Sequence, residues 1–180
     1  MNHSLLKSEI VFKGKVFDLQ VDEIEYSSGN HAIREVALHY GGAVVVPVKG
    51  DGKVVFVRQF RYPFKKLLIE LPAGKLNKDE DPQHCALREL EEETGYQTTD
   101  IHKLGVIATT PGFCTELLHI YLAENLSPGN HNREEGELEM EVLELSFDEI
   151  ETKIMNGEIY DSKSISGIYM AQNFLKKFKK

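Results

Sequence analysis

A chain of 180 residues with 41% hydrophobic content is long enough to bury a core of its own and short enough to be read as one domain, 1–180. Its 29 acidic against 21 basic residues give a formal charge of −8, which speaks against sequence-independent binding to nucleic acid or to a membrane surface. Cys85 and Cys114 have neither zinc-site nor disulfide spacing, and no apolar run reaches membrane-spanning length, so a cytoplasmic location is expected.

From Glu9 to Tyr26 the chain alternates in the manner of strands, with Gly14 as a turn. Ser27 to Asn30 is a turn cluster, and Ala32 to His39 reads as another strand. Gly41-Gly42 opens AVVVPVK, a continuous β-branched run of the kind that forms a buried strand. Asp51-Gly52 predicts a hairpin between that run and KVVFVRQFR. Pro72-Ala73-Gly74 then supplies a loop whose backbone can approach a ligand. Beyond the central helix, Leu104 to Thr109 and Leu117 to Ala123 read as strands joined by a Pro111-Gly112 turn, and Ser127 to Gly136 as a polar loop. Met140 to Leu145 is a further strand. Ser146 and Glu149 form a capping box for a helix ending at Gly157. A last amphipathic helix is expected from Ser164 to Phe178, with Ile165, Ile168, Tyr169, Ala171, Leu175 and Phe178 on its apolar side. Strands flanking one helix, followed by two more helices, indicate an α/β layered fold.

The chain is organised around GKLNKDEDPQHCALRELEEETGY, Gly74 to Tyr96. Asp81 is a natural N-cap, Pro82 fits the first helical position, and Gly95 suits the left-handed position past the end. Ala86, Leu87 and Leu90 supply the apolar stripe, which leaves the carboxylate side toward a cleft or solvent. Glu89 lies three residues before Glu92 and four before Glu93, so the three carboxylates share one helix face. Like charges that close need neutralising, and oxygen-only clusters suit Mg²⁺, Mn²⁺ or Ca²⁺ better than zinc. A surface helix with solvated acids would carry the same EEE run. The wider spacing of Gly74, Glu80, Arg88-Glu89, Glu92-Glu93 and Gly95 decides against that.

This spacing resembles the Nudix hydrolase signature, with Tyr96 where the family has an aliphatic residue. Arg58-Gln59-Phe60-Arg61, Glu70-Leu71-Pro72-Ala73-Gly74, Pro111 within PGFCTELLHIYLA, and the tail EIYDSKSISGIYMA are similar to the branch that hydrolyses ADP-ribose and nucleotide sugars. The resemblance implies an α/β/α sandwich with a mixed central sheet in residues 40–180. It also implies an N-terminal antiparallel strand segment, residues 1–39, that pairs two subunits as a homodimer.

By the same resemblance, Glu89, Glu92 and Glu93 hold Mg²⁺, with Mn²⁺ as a substitute, and the Ala73 carbonyl is a further ligand. Arg88 orients the carboxylates and pairs with Glu80. Arg61 binds the diphosphate, a task its planar and permanently charged fork suits. Arg58, Glu70 and Glu116 join it on the substrate side. Glu135 or Glu137, in the Glu134–Glu139 loop, supplies the general base. His119 reads as a sheet-face histidine, His84 as exposed, and Cys85 as near the site without being a nucleophile. The expected activity is hydrolysis of a nucleoside diphosphate sugar to a nucleoside monophosphate and a sugar phosphate. Alternatives are GDP-mannose, dinucleoside polyphosphates, nucleoside triphosphates, or a sensor that binds a nucleotide sugar without cleaving it.

Overall fold

The computed structural model describes residues 3–131 and 139–178. The chain divides into two compact units, Met1–Gly41 with Ala108–Leu117, and Gly42–Ile107 with Leu118–Lys180.

The first unit is built on an antiparallel sheet of β1 (His3–Lys13), β2 (Asp18–Tyr26) and β3 (His31–Leu38), in that order. The turn cluster between β2 and β3 behaves as its composition dictates. Gly29 takes φ 83° and its N–H reaches the Tyr26 carbonyl at 2.8 Å. The second stretch of the unit joins this sheet through long-range pairing. Ala37 bridges Cys114, and the His39 N–H donates to Thr115 Oγ1 at 2.8 Å. The unit keeps many apolar side chains at its surface, among them Leu5, Leu6, Val11, Phe12, Val16 and Phe17. A cavity of about 820 Å³ opens within it.

In the second unit β4 (Gly42–Pro47) is the central strand, and all six of its residues are buried. It runs parallel to β10 (Leu117–Glu124) and antiparallel to β7 (Ala73–Lys75). With β9 (Asp100–Ala108) these make a mixed sheet of order β7-β4-β10-β9. A second, antiparallel sheet has the order β12-β5-β6, from Glu141–Leu145, Val54–Arg61 and Lys66–Glu70. Tyr96–Gln97 (β8) and Ser127–Pro128 (β11) form a short antiparallel pair, so the polar stretch after Leu126 begins as a strand.

The two faces of β4 serve two helical layers, as alternation along a strand requires. Ala43 and Val45 pack on Cys85, Ala86 and Leu90 of α1 (Pro82–Thr94). Val44 and Val46 pack with Phe56, Leu71 and Ile120, on Ile150 of α2 (Phe147–Met155) and Ile168 and Ala171 of α3 (Ser162–Phe178). α3 comes close enough that a methyl at Gly167 would lie 2.8 Å from Leu71 Cδ1. This is the α/β/α sandwich with a mixed sheet; the antiparallel N-terminal strands belong to the other unit.

Two sequence expectations are corrected. The Asp51-Gly52 turn forms, with Gly52 at φ 83°, but the hairpin amounts to an isolated Val48–Val54 bridge, and β4 and β5 belong to different sheets. α3 begins two residues early, at Ser162, and buries Lys163, Ser164 and Gly167, while Tyr169 and Phe178 are exposed. The apolar periodicity placed Ile165, Ile168, Ala171 and Leu175 on the core side as expected but set that side too wide, taking in Tyr169 and Phe178 and missing Lys163, Ser164 and Gly167.

Candidate active site

α1 is held at both ends as its sequence requires. Asp81 Oδ1 accepts from the N–H groups of Gln83 and His84 at 2.9 and 3.2 Å. Gly95 takes φ 72° and its N–H returns to the Glu91 carbonyl at 2.9 Å. The buried face differs from expectation. Cys85 joins Ala86 and Leu90 inside while Leu87 is half-buried, and Glu89 and Glu93 are themselves buried, at 8% and 1% exposure. Of the two settings expected for the carboxylate side, cleft or solvent, Glu89 and Glu93 take the inward one, against the backbone of Ala73 and Gly74.

One guanidinium gathers three of the motif's carboxylates. Arg88 Nη1 donates to Glu89 Oε1 at 2.6 Å and to Glu92 Oε2 at 2.9 Å. Its Nε and Nη2 grip Glu80 at 3.0 and 3.2 Å. Glu80 also accepts the Asn77 N–H at 2.8 Å, which pins the loop ahead of the helix. The hydrogen bond from Arg88 holds the Glu80 carboxyl below its ordinary value, and these contacts raise the guanidinium's pKa further.

The loop side is equally specific. The Ala73 N–H donates to Glu93 Oε2 at 3.1 Å. A methyl at Gly74 would lie 1.7 Å from Glu89 Oε1, so only glycine leaves room for this carboxylate. Cys85 Sγ lies 3.7 Å from the Gly74 carbonyl, and burial pushes its thiol up to about 12, so it stays protonated and unreactive.

A second charged group lies where β5, β6 and the start of α3 meet. Arg61 Nε and Nη2 donate to Glu70 Oε1 and Oε2 at 2.9 and 2.6 Å. Glu70 is buried, and its Oε2 also accepts from Lys163 Nζ. Lys163 donates to Asp161 Oδ2 at 2.9 Å, and the same oxygen takes the Ser164 N–H and hydroxyl at 3.0 and 2.6 Å. Ser164 Oγ in turn accepts the Leu71 N–H at 2.7 Å. Burial pushes the Glu70 carboxyl up, but Arg61 and Lys163 outweigh it and hold it below its ordinary value. The charge of Glu93 reaches Arg61, so the two groups sense one another.

Asp161, Lys163 and Ser164 were not singled out from the sequence. The signal was there, since Asp161 stands three residues before Ser164 as an N-cap would. Periodicity of apolar residues alone starts the helix too late to include it.

Other expected residues have partners of their own. Arg58 and Arg61 are three residues apart on β5 and so point to opposite faces; Arg58 donates to Glu141 Oε2 at 2.6 Å. Glu116 belongs to the first unit, where its Oε2 accepts from Thr109 Oγ1 at 2.7 Å. Glu135 and Glu137 fall outside the described residues. His84 is exposed, and burial lowers the pKa of His119 on β10. Asp100, His102 and Glu124 converge within 4.8 Å on β9 and β10, where Asn125 donates to Asp100 at 2.7 Å and Phe174 packs on the His102 ring. No helix is long and apolar enough to cross a membrane among the described residues.

The NUDIX domain model matches residues 39–163, a span that includes the whole carboxylate helix and its loop. The chain belongs to the Nudix family. It is 39% identical over 173 residues to the ADP-ribose pyrophosphatase of Bacillus subtilis (strain 168), covering 96% of this chain and 94% of that one. It is 41% identical over 169 residues to the methanol dehydrogenase activator of Bacillus methanolicus, covering 93% and 91%. The GDP-mannose pyrophosphatase of Cronobacter sakazakii is 38% identical over 141 residues, 73% of each chain. Among solved structures, an ADP compounds hydrolase shares the fold with a TM-score of 0.87 at 17% identity, covering 99% of this chain and 97% of that one. The chain is thus a Nudix hydrolase, a pyrophosphatase by family.

Proposed function

We propose that this Nudix enzyme hydrolyses the diphosphate bond of ADP-ribose, or of a closely related nucleoside diphosphate sugar, with Mg²⁺ as cofactor. With ADP-ribose the products are AMP and ribose 5-phosphate. The observation that carries the reading is the gathering of Glu80, Glu89 and Glu92 around one guanidinium, with Glu93 fixed by the Ala73 N–H. Four carboxylates with oxygen donors only, and a glycine cradle beneath Glu89, fit a hard divalent cation. The near-full-length similarity to an ADP-ribose pyrophosphatase supports the substrate class.

Glu89, Glu92, Glu93 and the Ala73 carbonyl would hold the metal, and Mn²⁺ would substitute for Mg²⁺. Bound there, the metal supplies charge neutralisation of the diphosphate and activation of the attacking water. The chain's own contribution is positioning. Arg88 fixes the carboxylate rotamers, and its tie to Glu80 keeps it from leaving with an anion. Arg61 presents a half-exposed guanidinium to the diphosphate, and Glu70 acts on the substrate through Arg61. Glu135 or Glu137 takes a proton from water as the reaction's base and Glu116 serves substrate recognition, while Arg58, on the face of β5 opposite Arg61, pairs with Glu141 instead. The exposed apolar side chains of the first unit support a homodimer in which a second copy covers them. The free cysteines fit a cytoplasmic location.

GDP-mannose is the second substrate to consider, because a GDP-mannose pyrophosphatase matches 73% of the chain. The test is product analysis with Mg²⁺ across ADP-ribose, ADP-glucose, GDP-mannose, UDP-glucose, diadenosine polyphosphates and dNTPs. Release of AMP from ADP-ribose with the highest kcat/KM is the expected result. Preferred cleavage of GDP-mannose would move the assignment to that class. Binding of ADP-ribose without cleavage in Mg²⁺ or Mn²⁺ would replace the enzyme reading with a sensor.

A further inference from the structure

Glu70 is a buried carboxylate with two cations. Arg61 takes both of its oxygens, and Lys163 takes Oε2 as well. A single buried carboxylate with a single arginine would bind that arginine's charge tightly, because attraction between unlike charges grows as water is excluded. A second cation on the same carboxylate divides that attraction. Lys163 is itself buried, with 11% of its side chain accessible, and Asp161 with Ser164 fixes it at the first turn of α3. Arg61 is the exposed member, with 38% of its side chain accessible. Its contacts to Glu70 use the Nε and Nη2 edge, so the Nη1 edge is the one directed away from the carboxylate.

We propose that Lys163 is a positioning residue for diphosphate binding: by sharing Glu70 it leaves the outward edge and charge of Arg61 available to the substrate's phosphate oxygens. The inference rests on the reading of Arg61 as the diphosphate-binding arginine. It assigns a role to a residue that does not touch substrate, and it connects the start of α3 with the strand end carrying Arg61. Loss of Lys163 leaves Glu70 with Arg61 alone. The guanidinium is then drawn inward, and ground-state binding weakens more than the chemical step.

The test is a double-mutant cycle on the full-length enzyme with ADP-ribose and Mg²⁺, reading KM and kcat separately. Arg61→Gln tests the underlying reading by itself: KM is expected to rise by about tenfold or more. Lys163→Met is expected to raise KM about tenfold with kcat within about threefold, and Lys163→Arg to keep KM near wild type. In the Arg61→Gln background, Lys163→Met should change KM no further, because its effect passes through Arg61. Should Lys163→Met fail to fold, Lys163→Gln keeps two donors toward Glu70 and Asp161 without the charge, and the same KM rise is expected. An unchanged KM in the folded Lys163 variant, beside a raised KM in Arg61→Gln, would overturn the proposal. So would a Lys163 effect that persists in full once Arg61 is gone. An unchanged KM in Arg61→Gln would instead remove the reading of Arg61, and the proposal with it.

Discussion

Two charged groups lie within reach of one another in the second unit, and they are composed on opposite plans. The α1 group sets three carboxylates, Glu80, Glu89 and Glu92, around a single guanidinium, with a fourth, Glu93, held by the Ala73 N–H. The group at the start of α3 alternates, Arg61 to Glu70 to Lys163 to Asp161, so that each charge faces its opposite. The first carries an excess of negative charge that a divalent cation would balance. The second is balanced without any ligand and holds its members in place. A site for a metal-dependent reaction on an anionic substrate needs both. On the proposed reading, one region would call the cation in, and the other would present a cation of its own that the protein has already oriented.

The largest expected break in this comparison comes from the α1 group. Glu93→Gln should lower kcat on the order of 10³-fold while the circular dichroism spectrum and melting curve stay those of a folded protein. Near-wild-type turnover would contradict the role of the carboxylate face. Gly74→Ala sharpens the point with one methyl group. The intruding carbon meets the end of the Glu89 side chain, so the fold survives and the carboxylate moves, with a loss of about 10²-fold in kcat/KM. A crystal structure of that variant with Glu89 unmoved would refute the cradle.

The balanced group should respond in stability rather than turnover. Ser164→Ala removes the acceptor of the buried Leu71 N–H and is expected to cost about 1–3 kcal/mol in denaturant unfolding, with kcat little changed below the transition. The smallest effect is a pH dependence. The folded pKa of Glu70 lies below its ordinary 4.5, so its contribution is fully present above about pH 4.5 and is lost as pH falls through the folded value. Melting temperatures measured from pH 6 down to pH 3 should therefore fall less steeply in Glu70→Gln than in wild type.

The difference between the groups also explains what could be read from sequence. The α1 group is local. Asp81, Pro82, Gly95 and the i, i+3 and i, i+4 spacing of its glutamates lie in one helix, and the structure keeps those caps. The same holds for the Ser146–Glu149 capping box and the buried AVVVPVK strand. The second group is assembled from residues 61, 70 and 161–164, brought together by tertiary packing that no local pattern announces. Lys163 lies just ahead of the Ser164 start that apolar periodicity predicts, and a buried lysine cannot be told from a solvated one by its letter. The split of β4 and β5 into two sheets, and the pairing of Ala37 with Cys114, escaped the sequence for the same reason. The placement of Glu89 and Glu93 stayed open between cleft and solvent, because charge alone argues for solvent and only the tertiary fold brings the loop backbone over them.

The most direct test of the whole account is a binding titration of Mn²⁺, followed by electron paramagnetic resonance, on wild type, Glu93→Gln and Glu70→Gln. The α1 carboxylates are predicted to bind the ion in wild type and in Glu70→Gln, and Glu93→Gln to weaken binding by tenfold or more, on the order of a lost metal ligand or its support. Equal affinity in wild type and Glu93→Gln, or a loss confined to Glu70→Gln, would contradict the assignment of the metal to the carboxylate helix.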